Sequence, residues 1–161
     1  MKKSLIDPSS KIINSTVSKS VQIREYCIIH DSEIGDSCRI FERASIKKSK
    51  LGKNVDINAG AYVEFVDIEN DVQVGPNCSI VGVTHKLSKE GAERKDTFKK
   101  IKIKKGTFLG AGSIILPGKE IGKGSVIGAG AVITQNIPAY HVVVGIPPNQ
   151  TIKSLKEWTN K

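Results

Sequence analysis

Aromatic side chains are scarce in this chain: four Phe, three Tyr and one Trp make up 5% of its 161 residues. With so few rings and no recognisable binding motif, nucleic acid is set aside as a partner. Long apolar runs are missing too, and none approaches the ~20 residues of a membrane span. The opening Met1-Lys-Lys-Ser-Leu-Ile-Asp-Pro8 lacks the apolar stretch of a signal peptide. These absences lead to the expectation of a cytoplasmic protein without a membrane span, and the length fits one domain. Acidic residues are outnumbered, 16 against 25 basic, which leaves a net charge of +9.

What the chain does have is a register. Ile, Val and Leu total 42 residues, and eighteen of them fall on three interleaved columns. The first column is Val17, Ile34, Leu51, Ile68, Ile103 and Ile121; the second is Ile23, Ile40, Ile57, Val74, Leu109 and Ile127; the third is Ile29, Ile46, Val63, Ile80, Ile115 and Ile133. Steps of six, six and five residues give a period of 17 in the early repeats, and steps of six give 18 in the later ones. An amphipathic helix repeats its apolar residues at three and four, and an ordinary strand at two. One aliphatic every sixth residue describes short strands joined by turns, three to a coil, stacked so that successive coils bury one continuous core.

Two residues before each anchor stands a small or medium side chain, as in Val21, Cys38, Val55, Val72, Thr107 and Ser125, or Cys27, Ala44, Ala61, Cys78, Ser113 and Ala131. Residues two apart on a strand share a face, so both sets are expected to point inward. Cys27, Cys38 and Cys78 all lie on these columns, where a thiol packs as a small hydrophobe, and a disulfide framework or a nucleophilic Cys78 is not expected. Glycine often follows the anchor (Gly35, Gly52, Gly75, Gly110, Gly122, Gly128), where unusual backbone angles would be easiest.

The repeated [Ile/Leu/Val]-Gly-x-x-small-x motif resembles the hexapeptide-repeat acyltransferases. Its most specific stretches are Leu109-Gly-Ala-Gly-Ser-Ile-Ile-Leu-Pro-Gly118, the run from Ile121 to Thr134, and Gly145-Ile-Pro147. The resemblance implies an all-β chain, a left-handed parallel β-helix forming a triangular prism of about six coils. The expected layout is a helix over 1–138 interrupted by a long loop at 86–102, then a 139–161 extension with a short helix from Thr151 to Thr159. It also implies a homotrimer with sites between subunits, acetyl-CoA as donor, and a sugar as acceptor.

Solenoids tend to carry their insertions on one functional side. The break at 86–102 begins directly after His85, which matches the family's catalytic histidine. The unperturbed imidazole pKa of ~6.5 suits a general base that deprotonates the acceptor while backbone N–H groups hold the oxyanion. A lone histidine is more often structural, and its place beside the insertion is what singles His85 out. Asn58, in Ile57-Asn-Ala-Gly60, resembles an asparagine that holds the acceptor in some of these enzymes, and equally suits a turn cap. For the donor, Ala111 and Ala129 match positions facing the pantetheine arm, Thr134 one near the adenosine end, and Lys153 a partner for a ribose phosphate. The stretch from Lys86 to Lys105 holds nine basic and three acidic residues, either a solvated loop or a field that attracts phosphates.

Some positions depart from the pattern. Phe108 stands where Trp is frequent, Lys119 where a small or apolar residue is usual, and Gly145-Ile-Pro-Pro148 is followed by Asn149 rather than a basic residue. Glu93 to Phe98 and Ile137 to Tyr140 resemble enzymes acting on nucleotide-linked amino sugars, whereas Thr84-His85 resembles the sugar O-acetyltransferases, so the acceptor atom stays open. Two alternatives remain at this point: a zinc lyase of the carbonic anhydrase type, requiring His30, His85 and His141 to converge, although no metal is expected; and a non-catalytic scaffold.

Overall fold

The structure, a computed structural model, describes residues 5–160. Three parallel sheets wrap a common core. Face I carries nine strands, of which the last, Thr151–Ser154, is antiparallel; face II carries seven and face III six. In one coil the chain runs through Asp56–Ile57 on face I, Tyr62–Glu64 on face II and Val66–Ile68 on face III. Each strand pairs with its equivalent one coil on: Ile57 lies beside Ile40 and Val74, and Val63 beside Ile46 and Ile80. This is an all-β parallel solenoid that fits the left-handed β-helix.

The interior follows the sequence register. Seventeen of the eighteen anchors are buried, and Val17 is half-buried near the N-terminal end. Both columns of small residues are buried throughout. Burial raises the Cys27 and Cys38 thiols above their ordinary pKa, and the three cysteines do more than fill space. Their Sγ–H groups donate to corner carbonyls of the next coil, Cys27 to Phe41 at 3.0 Å, Cys38 to Gly52 at 3.1 Å and Cys78 to Gly110 at 3.1 Å. Ser125 does the same to Pro138 at 2.7 Å. At the third corner Ser15, Ser32 and Ser49 form a ladder, each hydroxyl accepting the N–H seventeen residues on. These bonds satisfy backbone groups that the corners remove from the sheet ladders.

Eight parallel strands on face I make about eight coils rather than the six expected. The extra N-terminal coil holds Ile6 and Ile12, paired with Ile23 and Ile29. At the other end Ile137 bridges to Ile121, and Val143 pairs with Ile127. Steps of sixteen residues there fall outside the 17- and 18-residue register. Face I therefore continues into the 139–161 segment through His141–Val144. The helix expected over Thr151–Thr159 is shorter: Thr151–Ser154 pairs antiparallel with His141–Val144, and Leu155–Thr159 is helical. An open sheet edge captures the β-branched Thr151 and Ile152, and Ser154 with Glu157 forms a capping box that starts the helix. Lys119 is half-buried and its carbonyl accepts the Lys102 N–H at 3.0 Å, so the ladder is unbroken there.

The glycines after the anchors serve a different purpose from the one expected. Gly35, Gly52, Gly75, Gly110, Gly122 and Gly128 are absent from the residues with positive φ. Instead the next coil leaves no room for a Cβ: at Gly110 one would lie 2.5 Å from the Ala129 nitrogen. The left-handed corner positions come later in each turn and are often filled by other residues, among them Asp31, Lys48 and Phe65.

The outer surfaces differ in chemistry. Along face III the outward register is Glu33, Lys50, Asp67, Lys102 and Glu120, a ladder of alternating charge, with Lys50 2.8 Å from Glu33. Face II instead exposes Ile28, Ile114 and Leu116, each between 37% and 42% accessible. Among the described residues no helix is long and apolar enough to cross a membrane.

Candidate active site

The segment expected as a loop at 86–102 is an antiparallel hairpin of Val83–Ser88 and Gly91–Phe98. It leaves the prism at the edge between faces II and III. Gly82 makes the exit possible, since a Cβ there would lie 2.5 Å from the Phe65 carbonyl oxygen. Backbone bonds from Gly82 N–H to Glu64 at 2.8 Å and from Lys99 N–H to Gly82 at 2.7 Å fasten the base. Phe98 then packs edge-on against Phe65, with ring centroids 5.3 Å apart.

His85 sits on the first strand of this hairpin, directly opposite Asp96. The His85 Nδ1 is 3.6 Å from Asp96 Oδ1, and both side chains are 56% exposed. That separation suits an ion pair with the imidazolium and is longer than a direct hydrogen bond. The pairing can bias the orientation of the ring, with Nδ1 toward Asp96 and Nε2 as its other nitrogen.

Asn58 lies on the other border of face II, at the edge between faces I and II. Its amide Nδ2 donates to the Val74 carbonyl at 2.8 Å, alongside its own backbone N–H at 3.0 Å. That bond uses one hydrogen of the Asn58 amide at the corner. Ala111 and Ala129 lie on the same edge, joined by the Gly130 N–H donating to the Ala111 carbonyl at 2.8 Å, and both are exposed. A Cβ at the adjacent Gly112 or Gly130 would meet nothing within 4 Å, so this edge is a smooth, open track. Thr134 is exposed just after Val132–Ile133, on the hairpin's edge. Lys153 is exposed in the antiparallel strand that ends face I, opposite Val142.

Within one chain the structure therefore groups Asn58, Ala111 and Ala129 along one edge. His85 and Thr134 belong to another, and Lys153 to neither. Face II separates the two groups. The three histidines are dispersed as well: His30 pairs with Asp31 at 3.0 Å on face II, and the His141 ring meets the Ala139 carbonyl at 2.8 Å on face I. Among the described residues no group of three or more His, Cys, Asp or Glu is placed to hold a metal ion.

Two family patterns match this chain. The one described as GlmU-like, C-terminal hexapeptide, covers residues 2–84, and the bacterial transferase hexapeptide pattern of six repeats covers residues 100–135. The first spans more than half of the 161 residues. The chain belongs to the hexapeptide-repeat transferase family. A galactoside O-acetyltransferase from Lactococcus lactis is 39% identical over 126 residues, covering 72% of this chain and 60% of the relative. The bifunctional protein GlmU of Shouchella clausii is 31% identical over 132 residues, covering 81% of this chain and 27% of that protein. The chain thus spans less than two thirds of the length of either of these two curated relatives. Among solved structures, a maltose O-acetyltransferase from Clostridium difficile superposes with a TM-score of 0.68 at 24% identity, covering 78% of this chain and 69% of that one. A point mutant of the perosamine N-acetyltransferase of Caulobacter crescentus, in complex with CoA and GDP-perosamine, gives 0.61 at 22% identity, covering 95% and 57%.

Within this hexapeptide-repeat chain, Asp96 was not singled out by sequence. It stands eleven residues from His85, and only the hairpin register brings the two opposite each other. The only local signal was Gly91 as a turn residue, since the second strand, Gly91–Phe98, is mostly of residues depleted in strands. Phe65 was likewise missed, because its contact with Phe98 spans thirty-three positions and follows no repeat spacing.

Proposed function

We propose that the protein transfers an acetyl group from acetyl-CoA to a hydroxyl or amino group of a sugar, at sites shared between copies in a homotrimer. The observation that carries this reading is the division of the site by face II. The open Gly-Ala-Gly track with Asn58 lies on one border and the His85–Asp96 hairpin on the other. In one chain the two lie on opposite borders of that face. A second copy laid along the exposed aliphatics of face II would bring its own edge against the hairpin.

In that arrangement His85 Nε2 takes the proton of the acceptor's hydroxyl or amine as its oxygen or nitrogen attacks the thioester carbonyl carbon. The new C–O or C–N bond forms, the C–S bond breaks, and the proton held by His85 passes to the departing thiolate. Asp96 stands opposite the ring, 3.6 Å from its Nδ1. The track at Ala111 and Ala129 suits a thin pantetheine arm because no side chain larger than a methyl stands on it. Thr134 and Lys153 are assigned to the adenosine end, and Asn58 to the acceptor. Localisation in the cytoplasm, where acetyl-CoA is made available, belongs to the same reading.

The test is coenzyme A release with free sugars, nucleotide-linked sugars and amino sugars as acceptors. His85→Ala should lower turnover by about 10²- to 10⁴-fold with folding intact. Full acetyl transfer by that variant would remove His85 from the chemistry.

A further inference from the structure

Face I differs in its outward chemistry from the other two. Face III pairs its own charges, and face II is aliphatic near the hairpin. Over its N-terminal coils face I presents planar polar groups and an aromatic ring instead. Gln22 lies beside Arg39, and Arg39 beside Asp56, along one outward row. A second row runs next to it through Asp7, Arg24, Phe41 and Asn58. Their N–H groups donate in turn to the carbonyls of Ile23, Ile40, Ile57 and Val74 at 2.8 to 3.0 Å, so the four stand at equivalent places on four successive coils.

Two open clefts of about 330 and 120 Å³ adjoin on this strip, and Gln22 and Arg24 line both. Asp7 and Glu25 line the larger, Arg39 and Phe41 the smaller. Asp56 accepts from Nε and Nη2 of Arg39, which fixes the plane of a guanidinium whose side chain is still 53% exposed. Arg24 has no ion-pair partner among the described residues. Two arginines and two carboxylates line the clefts together, so charge selects neither an anion nor a cation.

A neutral ligand rich in hydroxyls matches this set. Guanidinium and amide groups offer coplanar hydrogen-bonding atoms that can span adjacent hydroxyls, and an aromatic ring covers the C–H face of a sugar. Spacing points the same way, since successive coils lie about 4.8 Å apart, close to the rise of one pyranose unit in an extended chain. Three such steps separate Asp7 from Asn58, about 14 Å, which gives room for about three units.

We propose that this strip docks an extended neutral oligosaccharide, so that the acceptor is a glycan chain rather than a free monosaccharide. The end of the chain lies at Asn58, where face I meets the edge that carries Ala111 and Ala129. The inference rests on the acetyl-transfer reading and deepens it by naming the length and charge of the acceptor.

The test is an equilibrium titration of the full chain with cello-, manno- and chito-oligosaccharides, each from monomer to pentamer. At least one series should bind, with Kd falling about tenfold or more from monomer to trimer and levelling beyond it. Arg24→Ala/Phe41→Ala should erase that gain, with folding intact by circular dichroism. Phe41→Tyr, which keeps the ring, should retain the gain. Arg24→Ala alone, at an exposed side chain, should lose part of it and serves where the double variant fails to fold. In coenzyme A release, KM should fall over the same lengths with kcat unchanged. No binding by any series, one Kd for all lengths, or a gain that survives in the double variant overturns the strip. Coenzyme A release at a KM that chain length does not change would leave the acetyltransferase reading standing without it. Length-dependent binding lost in the double variant, with no transfer to any acceptor, would leave the strip standing without that reading.

Discussion

Arg39 and Asp56 show how a single pair can matter on an otherwise repetitive wall. Asp56 is 8% exposed on the outer side of face I, and the Arg39 guanidinium grips it through both Nε, at 2.7 Å, and Nη2. The hydrogen bond to Asp56 raises the Arg39 pKa. Arg39→Leu would leave a carboxylate largely out of water without its donors and should cost about 1–3 kcal/mol, measured by denaturant unfolding. Replacing both partners by apolar residues should recover most of that loss. At the C-terminal helix, Glu157 accepts from the Ser154 hydroxyl at 2.7 Å and its N–H at 2.9 Å, and these bonds lower its pKa. A carboxyl held below its unfolded value of about 4.3 stabilises at neutral pH and loses that contribution as pH falls through the folded value. Amide protection in Leu155–Thr159, taken relative to intrinsic exchange at each pH, should therefore fall on acidification below about pH 4, and Glu157→Gln should remove that pH dependence. Protection that stays flat across that range would contradict the capping box.

At the scale of elements, the coil corner sets the tightest limits. Gly110→Ala places a Cβ 2.5 Å from the Ala129 nitrogen, a backbone contact with little room to give. It should destabilise by about 1–3 kcal/mol and lower the melting temperature, whereas Gly112→Ala meets open space and is disfavoured through its φ of +66° alone. The comparison separates close approach from backbone angle, two reasons for glycine that sequence cannot distinguish. The anchors and the small columns were legible because a regular coil repeats its inward positions, and each repeat reinforces the others. The hairpin was not, because its pairing of His85 with Asp96 occurs once and has no second copy to set a register. The terminal coils were obscured for a physical reason too. Ile6 is 44% exposed and the C-terminal steps shorten to sixteen, so neither burial nor period is strict at the ends. Around the candidate site, the place of the hairpin was legible from where the register stops, while the bond from the Asn58 amide to the Val74 carbonyl follows from no spacing.

For the whole molecule, the contrast between faces decides how copies should meet. Face III satisfies its own charges, as in Glu33 with Lys50 and Asp67 with Lys100, and gains little by being covered. Face II exposes Ile114 and Leu116 beside the hairpin. Leu116→Lys should shift the protein toward monomers in sedimentation and abolish transfer together with assembly. The most direct measurement of the shared site uses two inactive proteins. His85→Ala removes the proposed base, and Ala111→Trp blocks the proposed donor track on the other edge. Co-expressed, they should regain about a quarter of wild-type turnover, because one interface in four in a random ring pairs an intact hairpin with an intact edge. A mixture as inactive as its components, with trimers formed, would place both halves of the site in one chain and contradict the account.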